Sequence, residues 1–94
     1  MSELIWLPEA KKDIARLHNF LHEKSADASG RIVDVLLAGT NQLLAFPESG
    51  KPMGDELQRR ELFLPFGAGA YVLRCKLANE QVVVIRVWHS RESR

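Results

Sequence analysis

Hydrophobic positions recur along this chain at two different spacings, and the change of spacing separates a helical first half from a stranded second half. Leu4-Ile5-Trp6-Leu7 is a short apolar run that reads as a strand. Pro8 follows where the first turn of a helix would begin, a position at which its missing N–H costs nothing. Glu9 suits the positive end of the helix dipole. Ala10, Ile14, Leu17 and Leu21 then recur every three or four residues, which predicts a helix with one apolar face, ending near Lys24-Ser25. A second helix is predicted from about Asp27 to Phe46, with Ile32, Val33, Leu36, Leu37, Leu43 and Leu44 as its apolar stripe. Gly39 inside it costs about 1 kcal/mol relative to Ala, and a close approach to the first helix is expected to account for it. Pro47, Gly50 and Pro52 end the helix and begin a loop, Glu48 to Gln58, that carries Lys51, Asp55 and Glu56.

From there the period falls to two. Strands are predicted over Glu61 to Pro65, Ala70 to Leu77 and Gln81 to Trp88. Phe66-Gly67-Ala68-Gly69 separates the first two and Ala78-Asn79-Glu80 the last two, connections short enough to make antiparallel hairpins. Alternation puts Tyr71, Leu73, Cys75 and Leu77 on one face of the middle strand and Val72, Arg74 and Lys76 on the other. In the last strand Val83, Ile85 and Val87 share one face, and Val82, Val84, Arg86 and Trp88 the opposite one. If the helices cover the apolar faces, Arg74, Lys76, Arg86 and Trp88 form a basic, partly aromatic surface on the open side of a rigid sheet.

Length and composition narrow the class. At 94 residues, with 46% hydrophobic and 27% charged residues, the chain reads as one folded domain spanning 1–94. One cysteine, Cys75, excludes an internal disulfide and fits a reducing compartment. Met1 to Trp6 lacks a basic stretch followed by an apolar one, and the apolar runs are far shorter than the roughly 20 residues that span a bilayer, so a cytoplasmic protein without membrane contact is expected. The net charge of +1 hides an asymmetry. Met1 to Glu56 carries 6 Lys/Arg against 9 Asp/Glu, and Leu57 to Arg94 carries 7 against 3. The basic second half points to an anionic partner, nucleic acid or an acidic protein segment, or simply to an unevenly charged solvated surface.

Four stretches, in this order, resemble the RelE/ParE toxin superfamily: Leu7-Pro8-Glu9-Ala10 running into Lys12-Asp13-Ile14; Leu43-Leu44-Ala45-Phe46-Pro47-Glu48-Ser49-Gly50-Lys51-Pro52; Arg60-Glu61-Leu62-Phe63-Leu64-Pro65-Phe66-Gly67; and the pair Tyr71-Val72-Leu73-Arg74 with Val82 through Glu92. No one of them is specific, but together they cover nearly the whole chain. The resemblance implies an α+β fold, β-α-α-β-β-β, with two antiparallel N-terminal helices packed on a twisted antiparallel sheet. It also implies the toxin of a type II toxin–antitoxin system, of the kind associated with plasmid stabilisation and growth arrest, neutralised by a cognate antitoxin. RelE-like members cleave mRNA on the ribosome, and ParE-like members inhibit DNA gyrase. The ending Arg86-Val87-Trp88-His89-Ser90-Arg91-Glu92 is more similar to the ParE branch. A tyrosine that some nucleases use near the C-terminus has no match after Trp88, and Val72 stands where an arginine often follows the central-strand tyrosine.

The candidate target-binding residues are Arg60, Arg74, Arg86, Trp88, His89 and Arg91. Arg60 and Arg91 match positions that are basic in the family. Arg74 and Arg86, on one predicted face, would hold phosphates or pair with acidic side chains of a partner; the plain alternative is two solvated arginines. Trp88 would stack on a base or anchor a protein, or else belongs to the end of the sheet. Histidine titrates near neutrality, so His89 is the candidate acid or base of a nuclease, against an ordinary strand-end histidine. Cys75 reads as a small buried hydrophobe and Trp6 as core. His18 and His22 stand at i, i+4 spacing with no third ligand, so no metal site is expected, and nothing calls for a cofactor.

The leading expectation is a ParE-like gyrase inhibitor that acts by binding, not as an enzyme. The alternative is a RelE-like ribosome-dependent endoribonuclease using Arg74, Arg86, His89 and Arg91, with ribosome and mRNA as partners. A third is a non-toxic interaction module of the same fold. Operator DNA is expected to be reached only through the antitoxin, since no helix-turn-helix or zinc pattern is present.

Overall fold

A computed structural model describes residues 3–24 and 26–92, and the side chains of these except 21–29. The chain runs β1 (Glu3–Trp6), α1 (Pro8–Lys24), α2 (Ala26–Ala45), β2 (Lys51–Pro52), β3 (Arg60–Phe66), β4 (Gly69–Ala78) and β5 (Gln81–His89). The strands form one sheet in the order β1-β5-β4-β3-β2. The three C-terminal strands pair antiparallel, as their short connections require. In the second hairpin, Asn79 and Glu80 both adopt positive φ, the geometry of a two-residue turn that matches strand twist. Two pairings were not expected: β1 lies parallel to β5, and β2 adds a two-residue antiparallel edge to β3 within the predicted loop.

The helices pack on each other and cover one face of the sheet, α1 against β5 and α2 against β3. Ala10 and Leu17 of α1 and Ile32, Leu36 and Leu43 of α2 meet Leu62, Leu64, Tyr71, Leu73 and Cys75 in a single core. Trp6 packs at its margin, partly buried. The predicted α2 stripe is too wide: Val33, Leu37 and Leu44 face solvent, because α2 has the sheet on one side only. Gly39 is explained by the sheet and not by the first helix, since a Cβ there would lie 2.5 Å from Leu64 Cδ1 and 3.2 Å from Leu73 Cδ1.

The main correction concerns β5. Cys75 pairs with Val84 and Arg74 with Arg86, so Ile85 has no partner and the strand carries a bulge. One extra residue reverses the alternation. Val82 and Val84 therefore join Val87 in the core, while Val83 and Ile85, expected inside, are half-buried on the other side. Alternation in β4 is unbroken, and Tyr71, Leu73 and Cys75 are buried in the core as their spacing predicts. Leu77, on the same register, is exposed at the end of the strand.

Candidate functional site

Three groups of polar side chains surround this frame. The first lies at the edge of β5, which β1 leaves uncovered beyond Val84. Asp13 of α1 closes that edge. Its Oδ2 accepts from the Val87 N–H at 2.9 Å and from Arg86 Nε at 2.7 Å, and its Oδ1 accepts from Arg86 Nη2 at 3.1 Å and, more weakly, from Arg16 Nη2 at 3.4 Å. Burial alone would raise the Asp13 pKa. The bond and charge of Arg86, the Val87 N–H and the bond from Arg16 outweigh it and hold the carboxyl below its ordinary value of 3.8. Asp13 occupies the apolar side of α1 one residue before Ile14. The sequence gives no sign of its importance beyond an acid on a face otherwise built from Ala10, Ile14 and Leu17. Arg86, predicted on the open face beside Arg74, is instead turned to α1.

The second group is the sheet face that no helix covers. Phe63, Val72 and Trp88 stand directly opposite one another across β3, β4 and β5. Phe63 is half exposed, Val72 is buried between its neighbours, and Trp88 is half-buried. Arg74 lies over the Trp88 ring, 4.9 Å from its centroid, and donates to Glu61 Oε2 from Nε at 3.2 Å and from Nη2 at 3.0 Å. Phe63 was not singled out in the sequence; the signal was its outward phase in an alternating strand. Arg60 contributes little to this face, because its Nη1 donates to the carbonyls of Glu48 and Gly50 at 3.1 and 2.9 Å and ties β3 to the loop after α2.

The third group is the end of β5. His89 Nε2 lies 3.2 Å from the Phe66 carbonyl, and its Nδ1 accepts from the Arg91 N–H at 3.2 Å. A carbonyl only accepts, so the proton of this hydrogen-bonded imidazole is assigned to Nε2. Tyr71 meets the ring edge-on at 4.9 Å. Burial, and the negative charge of Glu92 to a smaller degree, raise the Tyr71 pKa. Ser90 Oγ accepts from the Ala70 N–H at 2.9 Å, and Arg16 of α1 pairs with Glu92. Arg16, Arg86, His89 and Arg91 thereby line a cleft of about 820 Å³ whose apolar part is Leu17, Phe20, Phe66 and Tyr71. Of the predicted site residues the structure brings Arg86, His89 and Arg91 to this cleft, sets Arg74 and Trp88 together on the open face, and leaves Arg60 apart.

Cys75 is buried, and burial raises its thiol pKa. The side chain of His22 lies outside the described residues, so the His18–His22 pair is not described as a pair. Among the described residues no group of three or more His, Cys, Asp or Glu is arranged to hold a metal, and no helix is long and apolar enough to cross a membrane.

Comparison with known proteins places this geometry. Residues 4–94 match the family described as ParE toxin of type II toxin-antitoxin system, parDE. The toxin RelE1 of Caulobacter vibrioides is 38% identical over 85 residues, covering 90% of this chain and 89% of that one. The toxin RelE3 of the same organism is 32% identical over 87 residues, covering 93% and 92%. Among solved structures, the chromosomal ParDE TA system from P. aeruginosa superposes with a TM-score of 0.77 at 15% identity, covering 95% of this chain and 96% of that one.

Proposed function

The chain belongs to the ParE toxin family of type II toxin–antitoxin systems, and on that premise we propose that it arrests growth by binding DNA gyrase, with no chemistry of its own, until a cognate antitoxin neutralises it. One observation carries this reading. The groups a ribonuclease would need for proton transfer and phosphate binding are engaged inside the fold: both ring nitrogens of His89 are bonded to main chain, and Arg86 is held by Asp13. A general acid or base needs a nitrogen within reach of the reacting proton. The target-facing surface is the uncovered sheet face, where Phe63 and Trp88 supply apolar area and Arg74 a cation. Aromatic side chains and arginine are the usual anchors of protein interfaces. The antitoxin carries any contact with operator DNA.

The two Caulobacter relatives carry RelE names, and the RelE-like branch is the one that the sequence resemblance ties to mRNA cleavage on the ribosome, so that cleavage is the second reading. There the ribosome would supply the proton transfer that His89 is not placed to perform, with Arg74, Arg86 and Arg91 on the phosphates. A supercoiling assay separates the two. Purified toxin added to gyrase and relaxed plasmid is expected to suppress supercoiling or accumulate cleaved complex, and antitoxin is expected to restore activity. An inert result at concentrations that stop growth, together with mRNA cleavage on translating ribosomes, would establish the second reading instead.

A further inference from the structure

The cleft between α1 and the β3–β4 turn lies away from the open sheet face. One wall is Leu17 and Phe20 of α1; the other is Phe66, Gly67 and Ala68 of the turn with Tyr71 behind. Phe20 is 58% exposed, a large apolar side chain left at the rim. The charged residues of the lining are three arginines, Arg16, Arg86 and Arg91, against one acid, Glu92.

That acid is informative. Arg86 is already neutralised by Asp13, whose carboxylate it grips with two nitrogens. Arg16 Nη2 makes two long bonds, to Asp13 Oδ1 and to the Val87 carbonyl, both at 3.4 Å, and Nη1 donates to Glu92, which the turn after β5 carries into the cleft. The cleft thus contains one carboxylate from its own chain, set on a half-exposed arginine and beside aromatic walls. We propose that this cleft is a docking site for an acidic–apolar peptide segment of a partner protein, a glutamate or aspartate next to a large apolar residue, and that Glu92 is the internal stand-in which such a segment displaces from Arg16.

Charge complementarity and the apolar walls together select this occupant. A carboxylate on a peptide replaces Glu92 on Arg16, and its apolar neighbour covers Phe20 and Phe66. A nucleic-acid strand would bring its phosphates to mainly apolar walls at which Arg16 and Arg86 are already paired with carboxylates, a poor match to a binding mode that depends on several cationic contacts. The exchange is feasible because the internal pair is half exposed at Arg16, and such pairs are weak. Displacing it therefore lowers the apparent affinity of the incoming segment only by about two- to five-fold.

The test is an amide NMR titration of the full-length toxin with the blocked pentapeptide Ala-Leu-Glu-Phe-Ala and its Gln counterpart. The expected result is saturable shifts at Arg16, Phe20, Gly67 and Ala68 with the Glu peptide and at least ten-fold weaker binding of the Gln peptide. Glu92→Gln, which removes the competitor and leaves the Asp13 bonds intact, is expected to tighten the Glu peptide by about two- to five-fold. Equal binding of the two peptides, no saturable shift in either protein at millimolar peptide, or displacement of the same resonances by a hexathymidine strand in preference to peptide would overturn the proposal. The assay reads binding at the cleft and is independent of whether the toxin's target is gyrase or the ribosome.

Discussion

Two arginines that face each other across β4 and β5 have opposite situations. Arg86 grips both oxygens of Asp13, whose side chain is 5% exposed, and the same carboxylate also takes the otherwise unpaired Val87 N–H. Arg74 reaches a single oxygen of Glu61, whose side chain is 21% exposed, and no main-chain group depends on that carboxylate in the bonds described. Both are arginine–carboxylate pairs. The difference is what else would be left unsatisfied if the acid were removed. At β5 a buried N–H and a guanidinium would lose their acceptor; on the open face water can replace Glu61. The first pair is a joint between α1 and the sheet, and the second is a surface arrangement that orients Arg74 over Trp88.

The sharpest way to break this comparison is to remove the two acids in turn. Asp13→Ala is expected to destabilise the fold by about 3–5 kcal/mol, the cost of breaking a buried pair from one side, and Glu61→Ala by no more than about 1 kcal/mol. Urea unfolding followed by circular dichroism measures both. Similar losses would mean that burial does not distinguish the pairs.

Acid titration sharpens it further. The Asp13 pKa in the folded chain lies below its ordinary value of 3.8. A depressed carboxyl pKa contributes stability that is fully present above the unfolded value and is lost as pH falls through the folded value. The stability gap between wild type and Asp13→Asn should therefore be constant near neutrality and close on the acid side of 3.8. A gap that stays unchanged down through that range would show that Asp13 is not ionised in the fold.

The smallest change in stability and the clearest change in function are expected at Arg74. Arg74→Ala should alter the unfolding free energy by no more than about 1 kcal/mol, yet raise the toxin concentration needed to inhibit gyrase about ten-fold, the loss typical of an interface anchor. Arg86→Ala should do the reverse and lose stability first. If Arg74→Ala inhibits as wild type does, the open face is not the target-binding surface.

Much of this was legible in the residues. The apolar spacing of α1, the stop at Pro47 and the alternation of β4 are local patterns, and each predicted helix and strand formed within a residue or two of its expected span, with Tyr71, Leu73 and Cys75 buried as their spacing required. The candidate site was legible only by residue type. Trp88 and Arg74 do share a face and touch, whereas Arg86 left that face and Arg60 was taken up by the loop carbonyls of Glu48 and Gly50. Phe63 and Asp13 carried no distinctive signal, since an outward phenylalanine and a helical aspartate are both common.

By itself, then, the sequence determined which segments are helices and strands, that a basic second half would build the sheet, and which side of β4 faces inward. These follow from periodicity and turn chemistry, which act over a few residues. Tertiary structure alone decided the phase of β5, the parallel seat of β1, the neighbour of Gly39 and the partner of Arg86. A bulge exists only in the pairing of two strands, so no count along β5 reveals that Ile85 is the extra residue. Asp13 and Arg86 are separated by 73 positions, and what joins them is a main-chain N–H left open where β1 ends.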